Sequence, residues 1–318
     1  MSRILVTGGA GFIGSHLVDR LADQGRAAIC LDNFNDFYDP RLKRNNMSGF
    51  VGRPGVEVVE GDIRDVDLLE RLFSEMRPKQ VVHLAAMAGV RPSLEKPRLY
   101  QDVNGMGTLN LLEMSRRYEV EHFVFGSSSS VYGLNSKVPF SPDDRVDCPI
   151  SPYAATKLAN ELVCRTYNHL YGLKVTCLRF FTVYGPRQRP DLAIRKFTAL
   201  IDRGEPVPVY GDGTFKRDYT YVDDIMDGML KALDMRFDFE IFNLGESRTT
   251  ETIQLVRLIA EALGKRADVK HQPVQPGDMP ITFADIEKSK RVLGYDPKVA
   301  IEEGIPLFVD WFRAQKEE

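Results

Sequence analysis

The chain has 318 residues, 43% of them hydrophobic, which is enough for one large domain or two smaller ones and argues against a disordered protein. A net charge of -3 with no basic stripe excludes the electrostatic footprint of a nucleic-acid binder, and no apolar run approaches the ~20 residues that span a bilayer. The N-terminus opens into a strand pattern rather than a signal peptide, so a soluble cytoplasmic protein is expected; Cys30, Cys148, Cys164 and Cys177 are scattered, read as core thiols, and offer no metal-ligand spacing.

Residues 3–7 form a short apolar strand followed at once by Gly8-Gly-Ala-Gly11-Phe-Ile-Gly14, a turn that enters a helix. Gly8 permits the turn, Gly11 lets a pyrophosphate approach the backbone, and Gly14 lets the helix pack against the sheet. A plain glycine turn would read the same by itself, but the motif stands between strand and helix, and a second strand from Ala27 to Leu31 ends at Asp32, where a ribose-binding acid belongs. The Asp32 carboxylate can accept both ribose hydroxyls and would repel a 2′-phosphate, which favours NAD over NADP. Arg41, Lys43 and Arg44 nearby read as a solvated loop.

The alternation continues with a strand at 56–60, a helix at 66–73, a strand at 80–84, a long helix from Pro97 to Tyr118, a strand at 122–125 and a helix from Ser151 to Tyr171. Such repetition predicts an α/β fold built on a doubly wound parallel sheet, with ligands beyond the C-terminal strand ends. Gly61-Asp62-Ile63, His83-Leu84-Ala85-Ala86 and Ser127 to Tyr132 all fall at those ends. Asp62 and Ile63 suit adenine, and Ala85 and Ala86 are small enough for the cofactor to lie against them.

Tyr153 and Lys157 are one helical turn apart, so the ammonium can favour the phenolate. Bringing a tyrosine from its free pKa of about 10 to neutrality takes about 4 kcal/mol from such neighbours. After Pro186 the alternation breaks into helices near 192–203 and 251–263 with short strands, which suggests a smaller substrate lobe. The domain limits predicted are 1–180, with a returning segment near 218–245, and 181–318. Arg217 offers a guanidinium suited to a diphosphate, and Arg91 and Arg189 are further cations near the crevice. Arg189 either shapes a loop or neutralises substrate. Trp311 and Phe312 are expected to pack in the core.

These segments together resemble the extended short-chain dehydrogenase/reductase (Rossmann) family and, within it, the sugar-nucleotide epimerases. The resemblance covers nearly the whole chain. It rests on Gly8 to Gly14, Asp32, His83 to Ala86, Ser127 to Gly133, Tyr153 with Lys157, Arg179 to Pro186, Gly211 to Asp218 and Gly277-Asp278. Residues 32–43, Ala88-Gly-Val-Arg91, Arg179 to Pro186 and Gln275-Pro-Gly-Asp278 are most similar to the UDP-glucuronate 4-epimerases.

The resemblance implies a UDP-sugar substrate, a retained NAD and a homodimer paired through the two long helices. It makes Tyr153 the base and Lys157 its pKa-lowering, ribose-binding partner. The serine that completes the site falls at Ser128, although the run Ser127 to Ser130 leaves the register open. Cofactor contacts are implied for Gly8, Gly11, Phe12, Ile13 and Gly14, for Asp32, Asn33, Asp62 and Ile63, and for Leu84, Ala85, Ala86, Asn104 and Ser127. Asn104 would support the long helix or the serine loop.

Substrate contacts are implied for Arg91, Ser128, Ser130, Thr182, Arg189, Arg217 and Asp278. Asp278 would take the nucleotide ribose, and Gln275 stands where many relatives carry an arginine. The implied reaction removes the 4-hydroxyl proton while C4 gives hydride to NAD, and returns hydride to the other face. A 4-keto uronate is prone to lose carbon dioxide, so Thr182, Ser128 and Ser130 would hold the carboxylate away from the cleavage geometry. Ser129 and Ser130 stand where related dehydratases and decarboxylases carry acids, which favours an isomerase over a lyase. A neutral-sugar UDP-hexose 4-epimerase and a decarboxylase of the same substrate are the alternatives.

Overall fold

The computed structural model describes residues 2–274 and 279–315. The chain runs β1 (Ile4–Thr7), α1 (Phe12–Asp23), β2 (Ala28–Asp32), α2 (Pro40–Asn46), β3 (Val56–Glu60), α3 (Val66–Met76), β4 (Gln80–His83), α4 (Val90–Glu95), α5 (Pro97–Tyr100), α6 (Gly107–Arg117), β5 (His122–Ser128), α7 (Pro152–Tyr171) and β6 (Val175–Phe180). It continues through β7 (Thr182–Tyr184), α8 (Ala193–Arg203), β8 (Val207–Tyr210), β9 (Lys216–Arg217), β10 (Tyr219–Tyr221), α9 (Val222–Met235), β11 (Phe239–Leu244), β12 (Thr250–Glu251), α10 (Thr252–Leu263), β13 (Val269–Gln272) and α11 (Ile301–Ala314).

Seven parallel strands make the main sheet in the order β11-β6-β5-β4-β1-β2-β3. β1, β2, β4 and β5 are buried along their whole length, as expected of apolar strands covered by helices on both faces. The order reverses between β1 and β4, which opens a crevice at the C-terminal ends of these two strands. α9 and β11 bring the chain back beside β6 after its first excursion. The second assembly pairs β8 with β13 and packs α10 between α8 and α11.

Local signals explain where the helices start and stop. Ser151 caps α7 by accepting from the Ala154 amide at 3.1 Å, Pro152 occupies the first turn, and Gly172 ends the helix in the left-handed region at φ +67°. Asp65 caps α3 in the same way.

The long helix predicted for 97–118 is divided: a π-helical segment, Gln101–Met106, separates α5 from α6. Its tertiary neighbours account for the break. Asn104 turns its amide inward onto Met87, and a Cβ on Gly107 would lie 2.4 Å from Ile63 Cδ1. Trp311 and Phe312 are half-buried and pack against the core on Phe308, and Trp311 lies beneath the Arg195 guanidinium. Cys148 is exposed, whereas Cys30, Cys164 and Cys177 are buried thiols.

Asp218, between β9 and β10, ties the loop after β11 to the segment between β13 and α11. Its carboxylate accepts from the amides of Glu246 at 2.8 Å, Ser247 at 3.1 Å and Ala284 at 3.1 Å, and from the Thr220 hydroxyl at 3.2 Å. Asp218→Ala strands three buried N–H groups at ~1–3 kcal/mol each, so a loss of about 4 kcal/mol in urea unfolding is expected. An unchanged midpoint would show that these amides find other partners.

Candidate active site

The crevice at the strand switch encloses a cavity of ≈ 370 Å³. Its floor is the turn after β1. Gly8 stands at φ +68° and donates its N–H to the Leu31 carbonyl at 2.8 Å, and Gly11 donates to the Gly8 carbonyl at 3.0 Å. A Cβ on Gly14 would lie 2.1 Å from Gly8 O and one on Gly8 2.8 Å from the Ala85 amide. At Gly11 the nearest atom is 3.1 Å away, so its bare backbone faces the cavity. This is a cradle shaped for a pyrophosphate at a helix N-terminus.

Behind Ala85, a relay of hydroxyls sets the loop. The Thr7 hydroxyl accepts from the Ala85 amide at 3.2 Å and meets His83 Nδ1 at 2.7 Å, while His83 Nε2 meets Thr108 Oγ1 at 2.9 Å. Because Thr108 in turn donates to the Asn104 carbonyl, the network assigns the His83 proton to Nε2. Burial pushes the His83 pKa down to about 3, so the ring is neutral and structural.

Asp32 ends β2 with its carboxylate on the Ala10 amide at 3.2 Å and the Phe34 amide at 2.9 Å. Lys43, expected in a solvated loop, is instead 5% exposed and places its Nζ 3.4 Å from Asp32 and 3.3 Å from Asn35 Oδ1. Helix α2 turns it inward, whereas Arg41 and Arg44 do point outward, onto Asp39 and Glu60. Asn35, Phe37, Tyr38 and Lys43 all line the cavity and escaped the sequence reading. The available signal was Asp39-Pro40, a capped helix start that fixes which basic residue faces in.

Phe12, Ile13, Asn33, Ile63, Leu84 and Ala86 also line the cavity. The Asp62 side chain does not. It accepts from Asn33 at 2.9 Å and is clasped by Arg64, which holds its carboxyl down at about 2. Asn104 lies outside the cavity as well, buried, bonding the Met87 amide at 2.8 Å, the Met87 carbonyl at 3.0 Å and Thr156 at 3.1 Å. It positions the loop after β4 against α7 rather than touching a ligand.

At the other end, β5 delivers Ser127 and Ser128 and α7 delivers Tyr153 and Lys157. The four-serine run is sorted by backbone geometry. Ser127 donates to Glu161 at 2.5 Å, while Ser128 caps the short turn that follows and is the serine whose hydroxyl pulls the Tyr153 phenol downward. Ser130 stands beside it, its Oγ 3.1 Å from that of Ser128. Thr182 and Arg189 enter from beyond β6, with Arg189 held by both oxygens of Asp191 and lying 5.5 Å from the Phe37 ring centroid.

The electrostatics of the pair differ from the sequence expectation. Lys157 is buried and donates to the Gly126 carbonyl at 2.6 Å, and burial brings it down to about 8 despite the opposing charge of Glu161. In the protein alone the Tyr153 phenol is raised, not lowered: enclosure outweighs the downward pull of the Ser128 hydroxyl and the Arg189 guanidinium. For Tyr153 to serve as a base, a further positive charge at the site is needed. As Lys157 loses its proton near pH 8, turnover should fall on the alkaline side of that value; a pH–rate profile flat to pH 10 would contradict this.

Arg91 and Arg217 lie outside the cavity lining. Arg91 sits over the Tyr210 ring at 4.5 Å, and Arg217 donates to the Lys216 carbonyl and faces Phe215. Asp278 and Gln275 fall outside the described residues. Among the described residues no cluster of His, Cys, Asp or Glu is placed to hold a metal ion, and no helix is long and apolar enough to cross a membrane.

Residues 5–307 match the GDP-mannose 4,6 dehydratase family, and the chain belongs to that group of extended short-chain dehydrogenases/reductases. UDP-glucuronate 4-epimerase 4 of Arabidopsis thaliana is 44% identical over 97% of this chain and 75% of its own. The crystal structure of UDP-glucuronic acid 4-epimerase from Bacillus cereus, in complex with UDP-glucuronic acid and NAD, superposes with a TM-score of 0.93 at 33% identity, covering 98% of this chain and 99% of that one. UDP-glucose 4-epimerase of Thermotoga maritima, with UDP-glucose, gives 0.91 at 39% identity over 99% of both chains. The chain is an NAD-dependent nucleotide-sugar epimerase, and the glycine cradle and Asp32 have the shape and charge that its cofactor requires.

Proposed function

We propose that the enzyme inverts C4 of UDP-glucuronate to give UDP-galacturonate through a transient 4-keto sugar. The observation that carries the substrate choice is the polar lining around Tyr153: Ser128, Ser130 and Thr182 offer hydroxyls, Arg189 adds a guanidinium paired from behind with Asp191, and no acid lines the cavity beside them. Asp32, at the end of β2, is the one carboxylate among the described lining residues. That set suits an anionic sugar and lacks the acid that elimination of water would require.

Tyr153, as phenolate, takes the proton from the 4-hydroxyl, with Ser128 sharing the hydrogen bond. NAD, held by the glycine cradle and Asp32, would supply the hydride acceptor and donor for C4, and its nicotinamide ring the extra positive charge that Tyr153 needs. Lys157 holds the cofactor ribose and keeps its charge beside the phenolate. Thr182 and Ser130 fix the uronate carboxylate out of alignment with the 4-keto group, which suppresses loss of carbon dioxide. By the family resemblance Arg217 is assigned to the diphosphate and Asp278 to the nucleotide ribose.

We propose that two copies pair through the helical stretches 97–118 and 151–171, on which Met106, Leu162 and Leu170 are exposed. Sedimentation at twice the 36.0 kDa chain mass tests the dimer. The likeness to the Thermotoga maritima UDP-glucose enzyme supports a second reading, a neutral-sugar epimerase. Incubating the protein with UDP-glucuronate and following the sugar protons by NMR separates these. Appearance of UDP-galacturonate without carbon dioxide supports the proposal; release of carbon dioxide, or turnover of UDP-glucose alone, rejects it.

A further inference from the structure

Directly behind the catalytic helix lies an ion pair that the reaction above leaves without a role. Glu161 follows Lys157 by four residues on α7 and so shares its face. It is 3% exposed, and Arg179 of β6 is 2% exposed. The guanidinium grips the carboxylate with both arms, Nε to Oε1 at 2.9 Å and a terminal nitrogen to Oε2 at 2.7 Å. Oε1 also accepts the Ser127 hydroxyl. Ser127 stands opposite Arg179 in the β5/β6 register, and the residue before it, Gly126, holds the Lys157 ammonium through its carbonyl. Carboxylate, serine, carbonyl and ammonium thus form one connected path from α7 to β5 and back.

Packing alone does not call for such a pair, since apolar residues of equal volume would hold α7 on the sheet at no desolvation cost. What the pair adds is a charge pattern. Its negative end lies toward Lys157, and its positive end is turned away, 4.9 Å over the Tyr132 ring. The groups facing Lys157 are Glu161 and Cys164 from its own helix, neutral His83 from β4, and the Phe125 ring and Gly126 carbonyl from β5. Those facing Glu161 are Arg179 and Cys177 from β6, Ser127 from β5 and Tyr132 just after β5. Glu161 is the carboxylate in this set.

We propose that Glu161 is a positioning residue of the epimerase: held by Arg179 and Ser127, its carboxylate keeps the buried Lys157 protonated. Arg179 serves as the counter-ion that grips the carboxylate in the core. The proposal rests on Lys157 acting as the charged partner of Tyr153, and the test separates the two.

The experiment measures kcat against pH for the wild type, Glu161→Gln and the double variant Glu161→Gln/Arg179→Gln, on whichever UDP-sugar the wild type turns over. NAD content and melting temperature are recorded for each. Removing the attracting charge while its repelling partner stays should move the alkaline limb about one pH unit lower in Glu161→Gln. Neutralising both should return part of that shift, because the Arg179 repulsion is also gone.

The double variant holds no unpaired charge, so it decides the matter if the single variant fails to fold. A limb that coincides with the wild type in every folded variant, with kcat merely reduced, overturns the proposal and leaves the pair a structural one. Turnover that survives Tyr153→Phe would defeat the underlying reading instead, whatever Glu161 does.

Discussion

Tyr153→Phe should lower kcat by about 10³-fold while leaving NAD bound, the loss expected when a general base is removed from a preorganised site. The substitution keeps the ring, so the edge-on contact with Tyr100, 6.2 Å between centroids, survives and the helix need not move. Only the oxygen that meets Ser128 is deleted. Cofactor binding depends on the glycine cradle and the end of β2, far along the chain from this oxygen, so the amount of NAD released on denaturing the protein should match the wild type. NMR of the sugar protons gives the rate. A variant that keeps a tenth of wild-type turnover would remove Tyr153 from the base role, and Ser128 would then have to be reconsidered as more than its hydrogen-bond partner.

Gly14→Ala should yield a protein that has lost its cofactor and melts several degrees lower. The new methyl would meet Gly8 O at 2.1 Å and Gly9 Cα at 2.9 Å, both backbone atoms with no rotamer to change. Relief requires α1 to move off the turn, and overpacking of this kind costs ~1–3 kcal/mol before any ligand is considered. The same movement carries the helix N-terminus away from the pyrophosphate, and a ligand that binds only the native state stabilises it by mass action, so losing it lowers the melting temperature further. Gly11→Ala is the informative comparison. Its nearest atom is 3.1 Å away and the methyl would face the cavity, so the fold should hold while cofactor affinity falls. If Gly14→Ala purifies with a full complement of NAD, the close-packing argument fails.

Much of this site was open to reading along the chain because its parts are local. A glycine turn between a buried strand and a helix, an acid at the end of the next strand and a Tyr/Lys pair one turn apart are patterns of spacing, and spacing is what a sequence displays. The main strands were readable because each is a short apolar run buried on both faces, which few other structures require. Where the outcome depended on distant residues, the reading fell short. Asn104 is turned inward by Met87 and Thr156, not toward a ligand, and the π-helical segment around it follows from that packing. Lys43 looked like one of three solvated cations until α2 aimed it at Asp32 and Asn35.

By itself the amino-acid sequence determined the chemical inventory: a dinucleotide cradle, a phenol and an ammonium on one helix face, four serines at a strand end, and the parallel alternation that gathers them in one crevice. Tertiary structure decided how those groups are charged and which of them meet. Whether Tyr153 is raised or lowered depends on enclosure and on Arg189, which arrives from beyond β6. Lys157 is lowered by its burial against the opposing pull of Glu161, which Arg179 grips from another strand. Protonation is a balance of desolvation against nearby charge, and both are properties of the three-dimensional surroundings, which spacing along a chain does not specify.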